Sequence, residues 1–316
     1  MVDATIHFTP MLPEPHTMNT TVTPTAAKPR KLAGATVGIP PRQMEFRGLE
    51  QGSRYFYDNN PTATLFFAML SAIFPPGELF FMDTVRHYRD RVTDPVLKAK
   101  ISGFIGQEAI HTREHERLNA LLKERGFDVM VAQRGVAAGL KLLEKLSPSQ
   151  QLACTTFMEH FTALLGEQLL NDENFRSKAD PEMIGLWQWH ALEELEHKAV
   201  AYEVYELIGN SRTERLLSYP LVAAALLPPI LGSWLWMVAK DGQLLNWKEN
   251  RRGLQLLLGR NGFVTRILPR MGLFARKGFH PNRHHTAELE KVWREKLFGA
   301  QGMLNADLRN REALAA

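Results

Sequence analysis

The chain has 316 residues, of which 45% are hydrophobic and 23% are charged, an ordinary balance for a globular protein of one large or two modest domains. Its single cysteine, Cys154, excludes an intrachain disulfide framework and a cysteine-rich metal site. Any metal must therefore be held by Glu, Asp and His, and the 11 histidines make this feasible. The net charge of +4 and the pI near 9.1 come mostly from basic residues near the C-terminus.

The first 40 residues are rich in Thr and Pro and contain no apolar core segment of the kind found in a signal peptide. Residues 1–45 are therefore predicted to form a disordered or loosely packed arm, and a cytoplasmic location is expected. Residues 46–215 are predicted to form a helical bundle. Residues 216–316 are predicted to form an apolar helical hairpin and a basic helical extension that pack on this bundle.

Helical periodicity dominates from about residue 61 onward, and alternating strand-like runs are scarce. Pro75-Pro76 is predicted to end one helix and separate it from the next. Ser147-Pro148 and Asp180-Pro181 each place a capping residue before a proline at the first helical position, which marks a helix start. The predicted helices span residues 63–74, 77–91, 95–125, 129–146, 148–175 and 181–208. They form two antiparallel hairpins joined by a longer crossover.

Two Glu-x-x-His motifs are the most informative feature of the chain. The first consists of Glu108 and His111, and the second of Glu194 and His197. Residues three positions apart lie on one face of a helix, so each motif presents a carboxylate and an imidazole together. Two such helices, with a further Glu from each of two other helices, can enclose a pair of metal ions.

A partner glutamate is found at a matching height on the preceding helix of each hairpin. Glu78 is level with Glu108, and Glu159 is level with Glu194, when the residues to each turn are counted at about 1.5 Å per residue. Both partners lie among apolar residues, where a carboxylate is costly unless it is paired or bound to metal. Glu167 lies about two turns closer to the loop and is predicted to support the site or to be structural. Singly, each glutamate also fits a solvated helix face.

Two further histidines lie on the same helix faces as the motifs. His190 precedes Glu194 by one turn, and His115 follows His111 by one turn. His190 is predicted to be a seventh ligand, with a buried, hydrogen-bonded histidine as the alternative. His115 is predicted to support a ligand or to be an alternative ligand itself.

This set of residues resembles the ferritin-like, carboxylate-bridged di-iron superfamily, and the added His190 is similar to the pattern of the arylamine N-oxygenases. The segment from Gln107 to His115, together with Phe279-His280-Pro281, resembles a bacterial family labelled "predicted metal-dependent hydrolase" over roughly residues 40–290. The resemblance implies an all-α fold, a ferritin-like four-helix bundle with extra C-terminal helices. It also implies two metal ions, with iron expected and manganese or zinc as alternatives.

Residues 220–239 carry no charge and approach the length of a membrane span. Pro228-Pro229 in the middle argues against one straight span. A basic stretch follows from Lys240 onward, and apolar residues beside cations also fit an anionic membrane surface. A buried helical hairpin or subunit interface, peripheral membrane contact through residues 219–240, and a true span remain open, and a homodimer is possible. The dispersed arginines do not form a nucleic-acid-binding motif.

The expected function is activation of O2 by a di-iron centre to oxidise a hydrophobic or aromatic small molecule or a lipid. An external electron donor would be required, because the chain has no flavin or nicotinamide fingerprint. A metal-dependent hydrolase that uses a metal-activated water is the second hypothesis. A non-enzymatic iron-binding or structural bundle is the third. Both enzyme hypotheses place the chemistry on the ligands themselves, without a separate catalytic residue.

Overall fold

The computed structural model describes residues 31–315, and within this range the fold is all-α, as predicted. No β-strand occurs in these residues, and the two extended contacts are isolated bridges, Met44 with Leu308 and Tyr57 with Ala179. The α-helices are α1 Pro61–Arg86, α2 Pro95–Glu124, α3 Met130–Leu143, α4 Pro148–Asn171, α5 Glu173–Arg176, α6 Pro181–His197, α7 Val200–Leu207, α8 Arg212–Lys240, α9 Trp247–Leu258, α10 Leu268–Met271, α11 Ala287–Phe298 and α12 Arg311–Ala315.

Four helix starts follow one local rule. Asn60, Asp94, Ser147 and Asp180 each accept a backbone N–H bond with the side chain, and each precedes a proline. The cap satisfies an N–H group that has no partner within the helix, and the proline has no N–H to satisfy. The predicted starts of α2, α4 and α6 are therefore confirmed.

Helix α1 continues without interruption past Pro75-Pro76, so the predicted break between residues 74 and 77 is wrong. Pro75 has no N–H to donate to the carbonyl of Ser71, one turn earlier. The side-chain amide of Asn119 on α2 donates to this carbonyl instead, at 3.1 Å. A tertiary hydrogen bond thus replaces the missing helical one, and the buried packing of α1 keeps the helix continuous.

The fourth predicted helix, residues 181–208, is divided in the structure. Helix α6 ends at His197, and α7 begins at Val200. The Lys198 side chain between them donates to the carbonyl of His284 and to the hydroxyl of Thr286, in the C-terminal region. In the same way, α4 ends at Asn171 rather than near residue 175, and Asp172 caps the short helix α5.

The two predicted hairpins are present as the packed pairs α1 with α2 and α4 with α6. Contacts of α1 with α4 and of α2 with α6 close these four helices into a bundle. The crossover helix α3 packs against α1 and α8, while α9 packs on α1 and α11 packs on α6. The C-terminal residues share the main apolar core, to which Leu186, Met237 and Leu297 all contribute.

The segment before the bundle is ordered from residue 31 onward, which differs from the predicted loose arm up to residue 45. Gly34 lies so close to Gly103 of α2 that a Cβ on Gly34 would come within 2.4 Å of the Gly103 Cα. Arg42 is buried between the helices. Residues 1–30, the rest of the predicted arm, lie outside the described residues.

Two helical segments are long and apolar enough to cross a bilayer by length and composition alone. The first, Pro61–Arg91, is largely buried as a central helix of the bundle. The second is α8, which continues through Pro220, Pro228 and Pro229 and is therefore one helix rather than a hairpin. Only 33% of its apolar window is buried.

Candidate metal centre

Seven side chains from the four central helices meet in the interior of the bundle, and all of them are buried. They are the seven predicted ligands, Glu78 of α1, Glu108 and His111 of α2, Glu159 of α4, and His190, Glu194 and His197 of α6. The apolar setting inferred from the neighbours of Glu78 and Glu159 is therefore present, and the carboxylates share it with three imidazoles.

One end of the cluster is centred on His197. Its Nε2 lies 3.0 Å from Oε1 of Glu108, 3.5 Å from Oε2 of Glu159 and 3.6 Å from Oε2 of Glu194. The donor atoms of Glu108, Glu159 and His197 are all within 4.8 Å of one another. This spacing fits a single cation held between α2, α4 and α6.

The other end is centred on His111 and His190. The Nδ1 of His111 lies 4.0 Å from Oε2 of Glu108 and 3.8 Å from Oε1 of Glu194. The Nε2 of His190 lies 2.8 Å from Oε1 of Glu194 and 4.0 Å from Oε1 of Glu78. Glu108 and Glu194 therefore reach both ends, through different oxygens of each carboxylate.

The donor atoms at the centre of the cluster have no hydrogen-bond partner. These unpaired buried atoms are Oε1 of Glu78, both carboxylate oxygens of Glu108 and of Glu159, Oε2 of Glu194, Nδ1 of His111 and Nε2 of His197. Buried polar atoms without a partner are costly and rare, and charged ones are the most costly. Four carboxylates match the charge of two divalent cations, so this donor set fits a dinuclear metal centre.

The pKa shifts of the clustered side chains are also consistent with a metal-binding site. Burial raises the pKa of Glu78, Glu108 and Glu159. Burial also disfavours a charged His197, but the surrounding carboxylates outweigh this and raise the His197 pKa. Burial also disfavours the charged form of Glu194, but His197 and His190 outweigh this and lower the Glu194 pKa. Three carboxyl groups and His197 thus bind protons more readily in the metal-free cluster, and metal binding would displace such protons.

The outer nitrogens of the two motif histidines bind residues that stand just before the opposite motif. His111 Nε2 lies 3.0 Å from Oε2 of Glu193, and His197 Nδ1 lies 3.0 Å from Oε1 of Gln107. The amide oxygen of Gln107 is an acceptor, so His197 donates its N–H outward, and His111 does the same when Glu193 is ionised. The lone pair of the other ring nitrogen then faces the cluster, as a metal ligand requires.

A buried arginine connects these two supporting residues. Nη1 of Arg42 donates to Glu193 at 2.8 Å and to Glu196 at 2.7 Å. Glu196 in turn accepts from Nε2 of Gln107 at 3.0 Å. One continuous hydrogen-bonded chain therefore runs from His111 through Glu193, Arg42, Glu196 and Gln107 to His197.

His190 is oriented by a separate relay through His115. The Ser71 hydroxyl donates to Asn119 at 2.8 Å and lies 3.0 Å from His115 Nδ1, so it accepts the N–H of His115. His115 Nε2 then accepts the N–H of His190 Nδ1, at 2.6 Å. This leaves the Nε2 lone pair of His190 facing Glu194 and Glu78, and it places His115 behind His190.

Glu167, the other predicted supporting residue, lies in a different network. Its carboxylate pairs with Arg270 at 2.5 Å and lies 4.0 Å from His284. Glu167 was predicted to support the metal site or to be structural, and its contact with the C-terminal region fits the structural alternative. Glu167 lies about two turns after Glu159 on α4, in the part of the helix that contacts Arg270 of α10.

The supporting residues that the sequence interpretation missed are Arg42, Gln107, Thr112, Glu193 and Glu196. Thr112 donates to Oε2 of Glu78 at 2.8 Å. The sequence did contain a pattern that could have indicated two of these residues, because Gln107 and Glu193 each immediately precede the glutamate of a motif. Arg42 carried no signal, since it belongs to a segment predicted to be loose.

A small apolar cavity of about 40 Å³ reaches the cluster at His190 and Glu194. Its wall is formed by Phe67, Leu70, Phe74, Thr162, Leu165, Gly166, Leu169, Trp187, Ala191 and Phe263. Apart from His190 and Glu194, the Thr162 hydroxyl and the indole N–H of Trp187 are the side-chain polar groups in this lining. The lining is therefore mainly apolar where the cavity reaches the cluster.

Comparison with known proteins identifies one family. The family described as "predicted metal-dependent hydrolase" matches residues 40–285, which is more than half of the chain and includes all seven clustered residues. No curated protein and no solved structure matches the chain.

Proposed function

The chain belongs to the predicted metal-dependent hydrolase family, and from this premise we propose that it is an enzyme with two metal ions in the buried cluster. The observation that carries the proposal is the set of unpaired, buried donor atoms that face one another at the centre of the cluster. Such a set is costly without cations and is satisfied by them.

The assignment of ligands follows from the two ends of the cluster. Glu78, His111 and His190 would hold one ion, and their donor atoms lie within 4.8 Å of one another. Glu159 and His197 would hold the other. Glu108 and Glu194 would be shared, because different oxygens of each carboxylate approach both ends. Iron is the proposed metal, and manganese also suits these oxygen and nitrogen donors.

The proposed reaction is oxidation of an apolar small molecule or lipid with O2. Ferrous ions held by the seven ligands would supply the redox chemistry for O2, and an external electron donor would be needed to complete a turnover. The chain itself contributes the fixed histidine orientations, the hydrogen bond from Thr112 to Glu78, and the apolar wall beside His190 and Glu194. This ferritin-like interpretation stays a proposal that rests on the carboxylate-rich donor set within a four-helix bundle.

The apolar cavity favours oxidation over hydrolysis. Hydrolysis needs a group that protonates the leaving atom, usually a side chain near the metal-activated water. Among the residues that line the cavity, the polar side chains outside the seven ligands are Thr162, whose hydroxyl donates to the carbonyl of Glu159, and Trp187. Neither side chain is an acid that exchanges protons near neutral pH.

Hydrolysis is the second candidate function, because the family description names it. A divalent ion at the His197 end would lower the pKa of a bound water and polarise a carbonyl. In this case the basic groups nearest to the water would be the unpaired oxygens of Glu159 and Glu108.

Anaerobic titration of the metal-free protein with Fe(II), followed by mixing with O2, tests the proposal. We expect two irons per chain and stoichiometric O2 consumption, with faster turnover when aromatic amines or lipids are added. A parallel assay with zinc or manganese and a panel of ester and amide substrates tests the second candidate. Binding of one ion or none would overturn the dinuclear centre. Two ions without an O2 reaction, but with ester hydrolysis, would replace oxidation by hydrolysis.

A further inference from the structure

The outward side of α8 is an exposed apolar strip. Residues 216–239 contain no charged side chain. Leu227, Leu231 and Leu235 follow one another at intervals of four residues and are 50–58% exposed. Intervals of four residues keep side chains on one face of a helix, so these leucines form a continuous line along α8. Trp236 beside them is also half exposed.

The apolar surface continues past the end of α8 into the turn before α9. Leu245 is 77% exposed and Trp247 is 75% exposed, and they are the two most exposed large apolar side chains in residues 31–315. Leu254 and Leu258 on α9 are exposed as well. We call the exposed leucines and tryptophans of α8, of this turn and of α9 the apolar face. Contiguous apolar surface of this kind is unusual on a soluble monomer.

The opposite side of α8 is firmly packed on the bundle. Val222, Ala225 and Leu226 are buried against α3 and α4. The Trp234 indole donates to the carbonyl of Thr62 on α1, at 3.1 Å. A helix attached along one side in this way lies on the protein surface, so the alternative of a true membrane span does not fit the fold.

Exposed cations lie on the elements next to the apolar face. Arg134 and Lys141 are exposed on the neighbouring helix α3, and Lys240, Lys248 and Arg251 surround the turn. None of these five side chains makes an ion pair among the described residues.

Two of the nearby acids, in contrast, are already paired with cations. Asp241 pairs with Arg54, and Glu249 pairs with Arg252. Asp128, which accepts the indole N–H of Trp236 at 2.9 Å, and Glu144 at the end of α3 have no ion pair among the described residues. The five cations without an ion pair outnumber these two carboxylates, so the net charge beside the apolar face is positive, which is complementary to an anionic partner.

We propose that the apolar face rests on an anionic lipid bilayer, with α8 parallel to the membrane plane. Leu245 and Trp247 would enter the boundary between headgroups and acyl chains, where leucine and tryptophan side chains are stable. The cations around the turn would contact lipid phosphates. A second copy of the chain fits less well, because a two-fold contact would bring the same unpaired cations of both copies together. The proposal does not depend on the reaction assigned to the metal centre.

Co-sedimentation of the full-length, metal-loaded protein with lipid vesicles tests the proposal. We expect binding to phosphatidylcholine vesicles that contain phosphatidylglycerol, weaker binding to phosphatidylcholine alone, and release by salt. The double variant Leu245→Ser with Trp247→Ser should weaken vesicle binding at least about tenfold, because both side chains lose their burial in lipid. Both residues are exposed, so the fold and the metal content should be unchanged.

Val96→Ser is the matched control, since Val96 is a half-exposed apolar residue at the start of α2. This variant should bind vesicles like the parent protein. Equal binding by the double variant and the parent would overturn the proposal. Absence of vesicle binding, together with a dimer that the double variant dissociates, would instead identify the apolar face as a contact between two copies.

Discussion

The interior of the bundle and the outward side of α8 reverse the usual distribution of side chains. Four carboxylates and three imidazoles lie at the centre of the bundle, where apolar residues are the norm. Leucine and tryptophan side chains lie on the outside of α8, where polar residues are the norm. Each departure is costly for the isolated chain, so each indicates a partner that removes the cost. The interior fits metal ions, and the surface fits lipid.

The two regions differ in how strongly the rest of the fold determines them. Each clustered histidine is held by a hydrogen bond from the side opposite the cluster, and these bonds extend to Arg42 and Ser71. The exposed leucines of α8 have no comparable support. Changes in the interior should therefore alter both metal binding and stability, whereas changes on the apolar face should alter association alone.

The largest effect is expected from Glu108→Gln, which replaces a carboxylate shared by both ends of the cluster. We expect fewer than two metal ions per chain and a loss of activity of at least about 100-fold, the upper range for the loss of a residue that only supports a ligand. Metal analysis after reconstitution measures the first effect. The metal-free variant should be at least as stable as the metal-free parent, because a buried carboxylate has been neutralised.

Glu167→Gln is the matched control for this variant. Glu167 lies on the same bundle but pairs with Arg270, so two metal ions should still bind. Full metal occupancy in Glu108→Gln would contradict the assignment of Glu108 as a shared ligand.

Arg42→Ala should have the next largest effect. It leaves Glu193 buried without its cation and leaves Glu196 with Arg294 alone, and an unpaired buried charge typically costs about 3–5 kcal/mol of folding free energy. Metal affinity should fall about 10- to 100-fold, because His111 and His197 lose the chain that orients them. Denaturant unfolding and competitive metal titration measure the two effects.

Arg86→Ala is the control, because it removes an exposed arginine that pairs with Asp83. This variant should leave both the folding free energy and the metal affinity nearly unchanged. If Arg42→Ala binds metal as tightly as the parent protein, the hydrogen-bonded chain does not support the site.

Two glycine substitutions compare the packed and the exposed sides of α8. A Cβ on Gly139 of α3 would come within 2.3 Å of the carbonyl oxygen of Ala225, which lies one turn before Pro229. Gly139→Ala should therefore cost about 1–3 kcal/mol of unfolding free energy. Gly232→Ala meets no atom within 4 Å and should stabilise α8 by about 0.5–1 kcal/mol. Thermal unfolding of both variants tests this difference, and equal effects would mean that α8 does not pack on α3 as described.

A further comparison concerns how the stability of the metal-free protein depends on pH. Burial raises the pKa of Glu193 to about 8, and it raises the pKa of Glu78 and Glu159 well above the usual range. These groups hold protons in the folded chain that unfolded carboxyl groups have already lost, so stability falls as pH rises. Each such group lowers the free energy of unfolding by up to about 1.4 kcal/mol per pH unit.

The informative window lies between about pH 6.5, above which unfolded histidines are mostly neutral, and the Glu193 pKa of about 8. Unfolding of the metal-free protein by urea across this window should show the decrease, and Glu193→Gln should reduce it. The metal-loaded protein should show the opposite trend, because metal ions bind the deprotonated ligands. A stability of the metal-free chain that rises with pH would contradict the prediction.

Much of the fold followed from local patterns. Periodicity predicted an all-α chain, and the pairs Ser147-Pro148 and Asp180-Pro181 marked helix starts that the structure confirms. The proline pair of α1 was misleading, because its effect depends on whether another group satisfies the carbonyl left without a donor. Asn119 does so for Ser71, and it lies on a different helix, so no local rule predicts it.

The sequence by itself determined which residues form the cluster, because the motif spacing and helix rise are short-range geometry. Only the tertiary structure decided how those residues are supported. Arg42 and Glu193 are separated by 151 positions, and Gln107 serves a histidine on the other motif helix. It also decided that α8 is packed on one side and exposed on the other. Such contacts depend on how distant helices pack, whereas caps and periodicity depend on neighbours within one or two turns.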